Sequence, residues 1–287
     1  MLIKRIISSI ILLCILAITI PIDWLFGILV TAFTIVGLYE FFTMLENKGI
    51  NIYKYFGIAM GVIIPLSIVF RFELTRNWEL LFIVLALLFL IIMQFRRREN
   101  SGVIVDISTT IFGLLYISWF LSFLIKIRYL SGGIGLILAV IFITKLGDIG
   151  AYFIGTRFGK TPLIPRISPK KTVEGAVGGL IFSVLGAFIS RPFFSLAFSP
   201  LAESAVGVIG GIPPGRENVA YLHLMFMGIS LGILAQLGDL SESLMKRDCQ
   251  VKDSGRILPG MGGALDFIDS LLFTAPAFYF YMSIILR

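Results

Sequence analysis

Residues 133–155 read GIGLILAVIFITKLGDIGAYFIG. The stretch is apolar almost throughout and long enough to cross a bilayer as a helix, which takes roughly 20 residues. Its two charged residues, Lys145 and Asp148, have i,i+3 spacing and lie on one helix face. Similar apolar runs recur along the chain, so the sequence predicts a polytopic integral membrane protein.

The composition supports this class. Hydrophobic residues make up 57% of the 287 residues and charged residues 14%, whereas a soluble domain carries about 25% charged residues. Too few polar residues are present to cover a soluble surface. Disorder, a collagen-like chain and a soluble enzyme are therefore excluded. The two cysteines, Cys14 and Cys249, provide neither a disulfide framework nor a metal cluster.

The apolar runs predict an all-α fold with about nine transmembrane helices. They lie at residues 6–20, 24–45, 55–72, 80–95, 107–125, 133–155, 173–189, 221–244 and 264–286. Residues 195–212 are apolar enough to be a further span. The proline and glycine cluster at 210–215 instead favours an outer loop over residues 190–220.

Lysine and arginine predict the orientation. If the spans alternate, one face receives most of the 24 basic residues, together with the N-terminus. The positive-inside rule makes this face cytoplasmic, and it explains the net charge of +7 without a nucleic-acid partner. We therefore predict a multi-pass protein of the cell membrane with a cytoplasmic N-terminus. Residues 1–131 would form a scaffold and 132–287 a catalytic region, with cytoplasmic loops at 156–172 and 246–263.

Acidic residues within membrane spans indicate function, because burying charge there is unfavourable. Asp239 and Glu242 share one helix face by their i,i+3 spacing, and so do Asp266 and Asp269. Two carboxylates so close favour a cation between them. Mg²⁺ typically takes one or two carboxylates plus substrate phosphates, and Asp239 is the natural third ligand. Two alternatives stay open: hydrated acids at a helix start, and a neutralising Lys145–Asp148 ion pair.

The two cytoplasmic loops contain residues suited to phosphate. Each loop is basic and ends just before a predicted helix, where free backbone N–H groups and the helix dipole favour anions. The glycines at 260, 262 and 263 let the backbone approach a ligand closely. Two such loops beside intramembrane acids predict a site for phosphorylated substrates.

These residues resemble the signature of the phosphatidate cytidylyltransferases (CDP-diacylglycerol synthases). The matching positions are Ser243, Lys246, Arg247, Lys252, Asp253, Pro259, Gly260, Gly262, Gly263, Asp266 and Asp269, with Gly147, Asp148, Ala151, Tyr152 and residues 168–175 upstream. The resemblance covers roughly residues 148–270. Two positions depart from it: Met261 stands where the family has histidine, and Phe267 where it has arginine.

The resemblance implies Mg²⁺-dependent transfer of CMP from CTP to phosphatidate, giving CDP-diacylglycerol and pyrophosphate for phospholipid synthesis. It implies metal ligands at Asp239, Asp266 and Asp269, with a second cation left open. Catalytic roles would fall to Lys246, Arg247, Lys252, Asp253, Asp148 and Glu174. Substrate-binding roles would fall to Ser168, Lys170, Lys171, Thr172, Ser243, Gly262 and Gly263.

The implied partners are CTP, phosphatidate and membrane lipids, and self-association into a homo-oligomer stays open. The active site would face the cytoplasm. Two other functions compete with this one. An ion-coupled transporter also carries midplane acids, but the polar residues here lie in one half of the chain. Another membrane phosphotransferase, of the CDP-alcohol type, would show a different acidic signature.

Overall fold

The computed structural model describes residues 2–72, 78–96, 101–197, 217–255, 257, 260 and 262–286. The helices are α1 (Leu2–Thr19), α2 (Asp23–Asn47), α3 (Lys54–Val69), α4 (Trp78–Gln94), α5 (Val103–Gly113), α6 (Phe120–Arg128), α7 (Gly133–Phe158), α8 (Val173–Ile189), α9 (Arg191–Ala197), α10 (Glu217–Asp248) and α11 (Ala264–Ile285). A π-helical segment, Leu114–Trp119, joins α5 to α6. Two strands, β1 (Pro162–Ile164) and β2 (Ser168–Thr172), complete the elements.

Five helical segments are long and apolar enough to cross a membrane: Asp23–Asn47, Val103–Arg128, Gly133–Phe158, Tyr221–Asp248 and Ala264–Ile285. Four shorter apolar helices cover Ile7–Thr19, Lys54–Val69, Trp78–Gln94 and Val173–Ile189. Each predicted span coincides with one of these segments. The all-α, multi-pass membrane class is confirmed, while the number of spans and their orientation stay predictions. Most of residues 195–212 lie outside the described part of the chain.

The chain forms two compact units. The first contains Met1–Ile125 and Met245–Ile268, and the second contains Lys126–Leu244 and Asp269–Arg287. The unit boundaries fall within α10 and α11. The segment after α10 therefore belongs to the same compact unit as the N-terminal helices. The functional division at residue 131 stays a prediction.

In the first unit, glycines let helices approach closely. Leu38 and Phe42 of α2 are fully buried. A Cβ at Gly57 of α3 would lie 2.7 Å from the Phe42 ring, and one at Gly61 would collide with Leu38. Large side chains of α2 thus fill the space that the α3 glycines leave open. This packing holds α2 closely against α3 within the unit.

In the second unit, α7 and α8 pack through small residues. Gly179 of α8 faces Ala151 and the Gly147 carbonyl oxygen of α7, at 3.0 and 3.2 Å from the position of an added Cβ. Gly175 faces the Ala151 carbonyl oxygen at 3.0 Å in the same way. Gly175 and Gly179 are four residues apart, a spacing at which small residues let two helices approach closely.

The basic segment before α8 is a β-hairpin and not an irregular loop. Strands β1 and β2 are antiparallel, with Pro162 opposite Thr172 and Ile164 opposite Ser168. Thr172 then caps α8, since its Oγ1 accepts a hydrogen bond from the Gly175 backbone N–H at 3.1 Å. The hairpin holds Lys170 and Lys171 on an ordered strand that leads directly into the helix.

Candidate active site

Asp266, in the first turn of α11, is surrounded by donors of the first unit. Lys246 Nζ donates to its Oδ1 at 2.5 Å. Its Oδ2 accepts from the Gly263 N–H at 2.7 Å, and from the Ser254 N–H and hydroxyl at 3.0 and 2.9 Å. The Lys246 and Asp266 side chains are only 12% and 13% exposed. The structure therefore brings two predicted site residues together as a partly buried, charge-assisted pair.

The sequence predicts that the backbone amides just before α11 are free to bind anions. In the structure, amides at the start of this helix instead donate to carboxylates of the protein itself. The Gly263 N–H donates to Asp266, and the next two N–H groups, of Ala264 and Leu265, donate to the Glu40 carboxylate. Gly262 has φ +102°, which a residue with a side chain rarely adopts. Protein carboxylates thus satisfy the first N–H groups of this helix. Substrate-binding roles for Gly262 and Gly263 stay predictions.

The second unit contains a separate network of charged residues. Lys145 Nζ donates to Asp148 Oδ2 at 3.1 Å and to Ser270 Oγ at 3.0 Å, and Ser270 Oγ donates to Asp148 Oδ2 at 3.1 Å. The Lys145–Asp148 ion pair, one of the two alternatives that the sequence left open, is therefore present. Asp269 is 7% exposed and accepts a hydrogen bond from the Ser270 N–H. It lies near enough to Asp239, Asp148 and Lys145 for their charges to interact.

The phosphate-binding candidates near α8 divide into two groups. Lys171 Nζ lies 2.7 Å from Asp239 Oδ2 in an ion pair, while Lys170 is exposed on β2. Glu174 accepts hydrogen bonds from the Lys160 and Thr161 N–H groups at 3.1 and 3.2 Å. Glu174 therefore connects the start of α8 to the beginning of the hairpin. The two lysines, Lys170 and Lys171, carry positive charge on strand β2 of this hairpin.

The remaining predicted residues lie around the end of α10. Ser243 is buried, whereas Arg247, Lys252 and Asp253 are exposed. The Arg247 guanidinium donates to the Val251 carbonyl oxygen at 3.3 Å, which directs it along the turn that follows the helix. Arg247 and Lys252 thus expose positive charge at and just after the end of α10, the helix that carries Lys246.

The donor chemistry of the second unit fits a hard divalent cation. Asp239, Asp148 and Asp269 supply carboxylate oxygens, which Mg²⁺ prefers, and substrate phosphates typically complete its ligand set. In the described part of the chain, no three histidine, cysteine, aspartate or glutamate side chains are grouped closely enough to hold a metal by themselves. A metal here would therefore rely on substrate oxygens as well as on protein ligands.

Two findings were not predicted from the sequence. Glu40 of α2 is buried and bonded to the start of α11. Glu40 lies inside the predicted span 24–45. Because an acid within a membrane span indicates function, this signal could have identified Glu40 from the sequence. Phe267 stacks on Phe33, with ring centroids 5.9 Å apart. Met261 lies outside the described residues.

The described residues thus combine long apolar helices with two lysine–aspartate pairs, Lys246–Asp266 and Lys171–Asp239. The chain belongs to the cytidylyltransferase family, whose sequence pattern matches residues 3–285. It is thus a nucleotidyltransferase.

Three similar proteins are named phosphatidate cytidylyltransferase. The one from Synechocystis sp. is 30% identical over 92% of this chain and 90% of its own length. The one from Bacillus subtilis is 30% identical over 90% and 89%, and the one from Thermotoga maritima is 33% identical over 90% and 87%. The match extends over the N-terminal helices as well as the signature.

Proposed function

We propose that this protein transfers CMP from CTP to phosphatidate, giving CDP-diacylglycerol and pyrophosphate. The observation that carries the proposal is the Lys246–Asp266 pair, built on the signature of a cytidylyltransferase family member. The names of three relatives that match this chain almost end to end support the choice of substrates. This membership also decides against the transporter and the CDP-alcohol type of phosphotransferase.

The reaction joins two anions and releases a third. An oxygen of the phosphatidate phosphate attacks the α-phosphorus of CTP, and the bond from that phosphorus to the oxygen bridging the α- and β-phosphates breaks. A phosphate monoester has a second pKa of about 6, so this oxygen is largely deprotonated at neutral pH. No general base is required. The protein has to align the reactants and offset their negative charge.

Lysine and arginine side chains provide that charge. Lys170, on the exposed face of β2, and Lys252, on the turn after α10, are proposed to bind the triphosphate or the lipid phosphate. Arg247 has the same role. Lys171 and Lys246 already neutralise Asp239 and Asp266. An incoming phosphate would compete with each carboxylate for its lysine, so these two lysines would link substrate binding to the acids.

Mg²⁺ is the proposed cofactor, and it would offset the charge on the triphosphate and on the departing pyrophosphate. Asp239 and Asp269 of the second unit are the proposed ligands, with Asp148 nearby. For Asp266 to bind a metal ion, one of its oxygens would have to lose a hydrogen bond that it now accepts. The donor lost would be Lys246 for one oxygen, or the Ser254 and Gly263 groups for the other. A second cation stays an open part of the proposal.

The proposed location is the cell membrane, with about nine spans and a cytoplasmic N-terminus. The hairpin segment and the turn after α10 would both face the cytoplasm, where CTP is available. Lysine and arginine distribution supports this orientation.

The decisive experiment measures pyrophosphate release by the purified protein in detergent. We expect release that requires CTP, Mg²⁺ and phosphatidate together, with CDP-diacylglycerol formed in equal amount. Diacylglycerol, which has no phosphate nucleophile, serves as the control lipid. Release that proceeds equally with diacylglycerol would contradict the proposal.

A further inference from the structure

We propose that Glu40 is a positioning residue for the reaction: its carboxylate holds the backbone that presents Asp266 to Lys246. The inference rests on the proposed function, since it assigns Glu40 a role in that same turnover. It concerns a residue of α2, in the N-terminal region that the sequence marks only as a scaffold. All the contacts that carry it lie within the first unit.

Glu40 lies within hydrogen-bonding distance of three donors in the segment around the start of α11. Its Oε1 accepts from the Ala264 N–H at 3.1 Å, and its Oε2 from the Leu265 N–H at 2.9 Å and the Ser254 hydroxyl at 3.1 Å. Only 3% of Glu40 is exposed. A carboxylate at a helix N-terminus also interacts favourably with the helix dipole. Glu40 thus satisfies two N–H groups that would otherwise lack a partner within the helix.

The glycines of this segment leave room for Glu40. The three heavy atoms nearest to a Cβ added at Gly255 would all belong to the Glu40 side chain, and a Cβ at Gly263 would collide with its carboxylate and with the Ser254 hydroxyl. Glycine is therefore needed at these positions to admit a protein carboxylate. A substrate phosphate is not required to explain them.

Ser254 connects Glu40 to Asp266. The Ser254 hydroxyl lies 3.1 Å from Glu40 Oε2 and 2.9 Å from Asp266 Oδ2, but it has a single hydrogen to donate. The two carboxylates therefore share one donor. The other oxygen of Asp266, Oδ1, accepts a hydrogen bond from Lys246. A change at Glu40 is thus transmitted through one side chain to the Lys246–Asp266 pair.

The rest of α2 holds the same segment in register. Phe33 stacks on Phe267, and a Cβ at Gly37 would contact Ile268 at 3.5 Å. Phe33, Gly37 and Glu40 follow the i, i+4, i+7 spacing of one helix face. One face of α2 therefore contacts both the backbone and the side chains at the start of α11. Glu40 is the polar contact in this series.

Removing the carboxylate should misplace Asp266. In Glu40→Ala, the Ala264 and Leu265 N–H groups lose their acceptor. Asp266 already accepts a hydrogen bond from the adjacent Gly263 N–H, so it is placed to accept hydrogen bonds from these two groups as well. Such a shift draws Asp266 away from Lys246. We expect kcat to fall at least about tenfold, because this factor corresponds to the free energy of one hydrogen bond to a charged group. The KM for CTP should change by less than about threefold, because Glu40 does not contact substrate.

Glu40→Gln distinguishes positioning from folding, since it keeps the size of the side chain and one of its two acceptor oxygens. We expect a kcat between those of wild type and Glu40→Ala, measured per folded molecule. Glu46→Gln is the matched control, with the same chemical change on the same helix. Glu46 pairs with Lys54 at 3.1 Å and makes no described contact with the signature. Its kcat should equal that of wild type.

Hydrogen exchange gives a readout that does not depend on turnover. In wild type, the amides of Ala264 and Leu265 should exchange at least about tenfold more slowly than those of the exposed residues 252 and 253. Glu40→Gln should accelerate exchange at 264–265, and Glu46→Gln should not. If wild type shows no protection at these two amides, the proposal is wrong, even if no Glu40 variant folds.

The results also separate this proposal from the proposed function. If wild type makes CDP-diacylglycerol and folded Glu40→Gln has a wild-type kcat, Glu40 is only a structural cap and the positioning role is overturned. If wild type makes no CDP-diacylglycerol, the proposed function fails, whatever the exchange data show. Lower kcat in Glu40→Gln together with faster exchange at 264–265 supports the positioning role.

Discussion

Lys246 at the end of α10 and Asp266 at the start of α11 form a partly buried ion pair, with Nζ and Oδ1 2.5 Å apart. Both side chains are almost nine-tenths covered, and the other oxygen of Asp266 accepts hydrogen bonds from the Gly263 and Ser254 N–H groups and shares the Ser254 hydroxyl with Glu40. Removing one member of a buried pair leaves an uncompensated charge. We therefore expect the pair to contribute both to the stability of the segment between α10 and α11 and to turnover.

Breaking this pair should affect both stability and turnover. Lys246→Met should lower the free energy of unfolding by about 3–5 kcal/mol, because Asp266 would keep its charge without its cation. Turnover should fall at least about a hundredfold. Thermal unfolding in detergent and pyrophosphate release measure the two effects.

An exposed ion pair of the same unit serves as the control. Lys48 and Asp248 lie at the surface, with side chains 36% and 65% exposed. Asp248→Asn should therefore change stability by no more than about 1 kcal/mol and leave turnover intact. Equal losses in Asp248→Asn and Lys246→Met would contradict a special role for the buried pair.

The acids of the second unit should determine the Mg²⁺ requirement. Asp239→Asn and Asp269→Asn should each abolish Mg²⁺-dependent turnover while the protein stays folded, because an amide oxygen is a far weaker ligand for a hard cation than a carboxylate. Turnover measured across a range of Mg²⁺ concentrations tests this. Near-normal activity in Asp269→Asn would show that this acid is not a ligand.

Gly255 provides a stability test of the Glu40 contact. Gly255→Ala should destabilise the protein by about 1–3 kcal/mol, because the new methyl group meets the Glu40 side chain. In a Glu40→Ala background the methyl group has room, so Gly255→Ala should be much less harmful there. Double-mutant analysis of thermal unfolding measures this coupling. Additive effects would mean that residue 255 does not contact Glu40.

The membrane helices could be predicted from the sequence, but the contacts of Glu40 could not. A spanning helix satisfies its backbone hydrogen bonds locally, so an apolar run such as 133–155 is sufficient evidence for one. Glu40 and Ser254 are 214 residues apart, and no local pattern relates them. Strand β2, with the sequence SPKKT, has low strand propensity and forms through its pairing with β1. The Lys145–Asp148 pair was predictable because both residues lie on one helix.

Thiol labelling in intact cells tests the orientation. Cysteines introduced at the exposed positions Arg166 and Ile257, in a Cys14→Ser background, should both be protected from a membrane-impermeant maleimide and react after permeabilisation. Cys249 should react slowly, because burial raises the pKa of its thiol above the ordinary value. Its thiolate then forms only at higher pH, so its labelling should speed up as pH rises. Opposite accessibility of positions 166 and 257 would contradict a shared cytoplasmic face.

Phe267 is the last position to test, since the family resemblance implies an arginine there. Phe267→Arg places a cation one residue after Asp266, where it can bind a phosphate or a carboxylate. The guanidinium can also rest on the Phe33 ring that now stacks on Phe267, as a cation–π contact. One hydrogen bond to a charged group contributes about 1.5–3 kcal/mol, so turnover should rise at least about tenfold.

Phe267→Leu is the control for this substitution, because it removes the aromatic stacking on Phe33 without adding charge. It should lower stability by about 0.5–1.5 kcal/mol and should not raise turnover above that of wild type. Met261→His adds a second donor near Gly262, and together with Phe267→Arg it should raise turnover further. If the folded double variant turns over no faster than wild type, positions 261 and 267 do not limit catalysis. The basic side chains already present, Lys246 and Arg247 among them, would then be sufficient for the reaction.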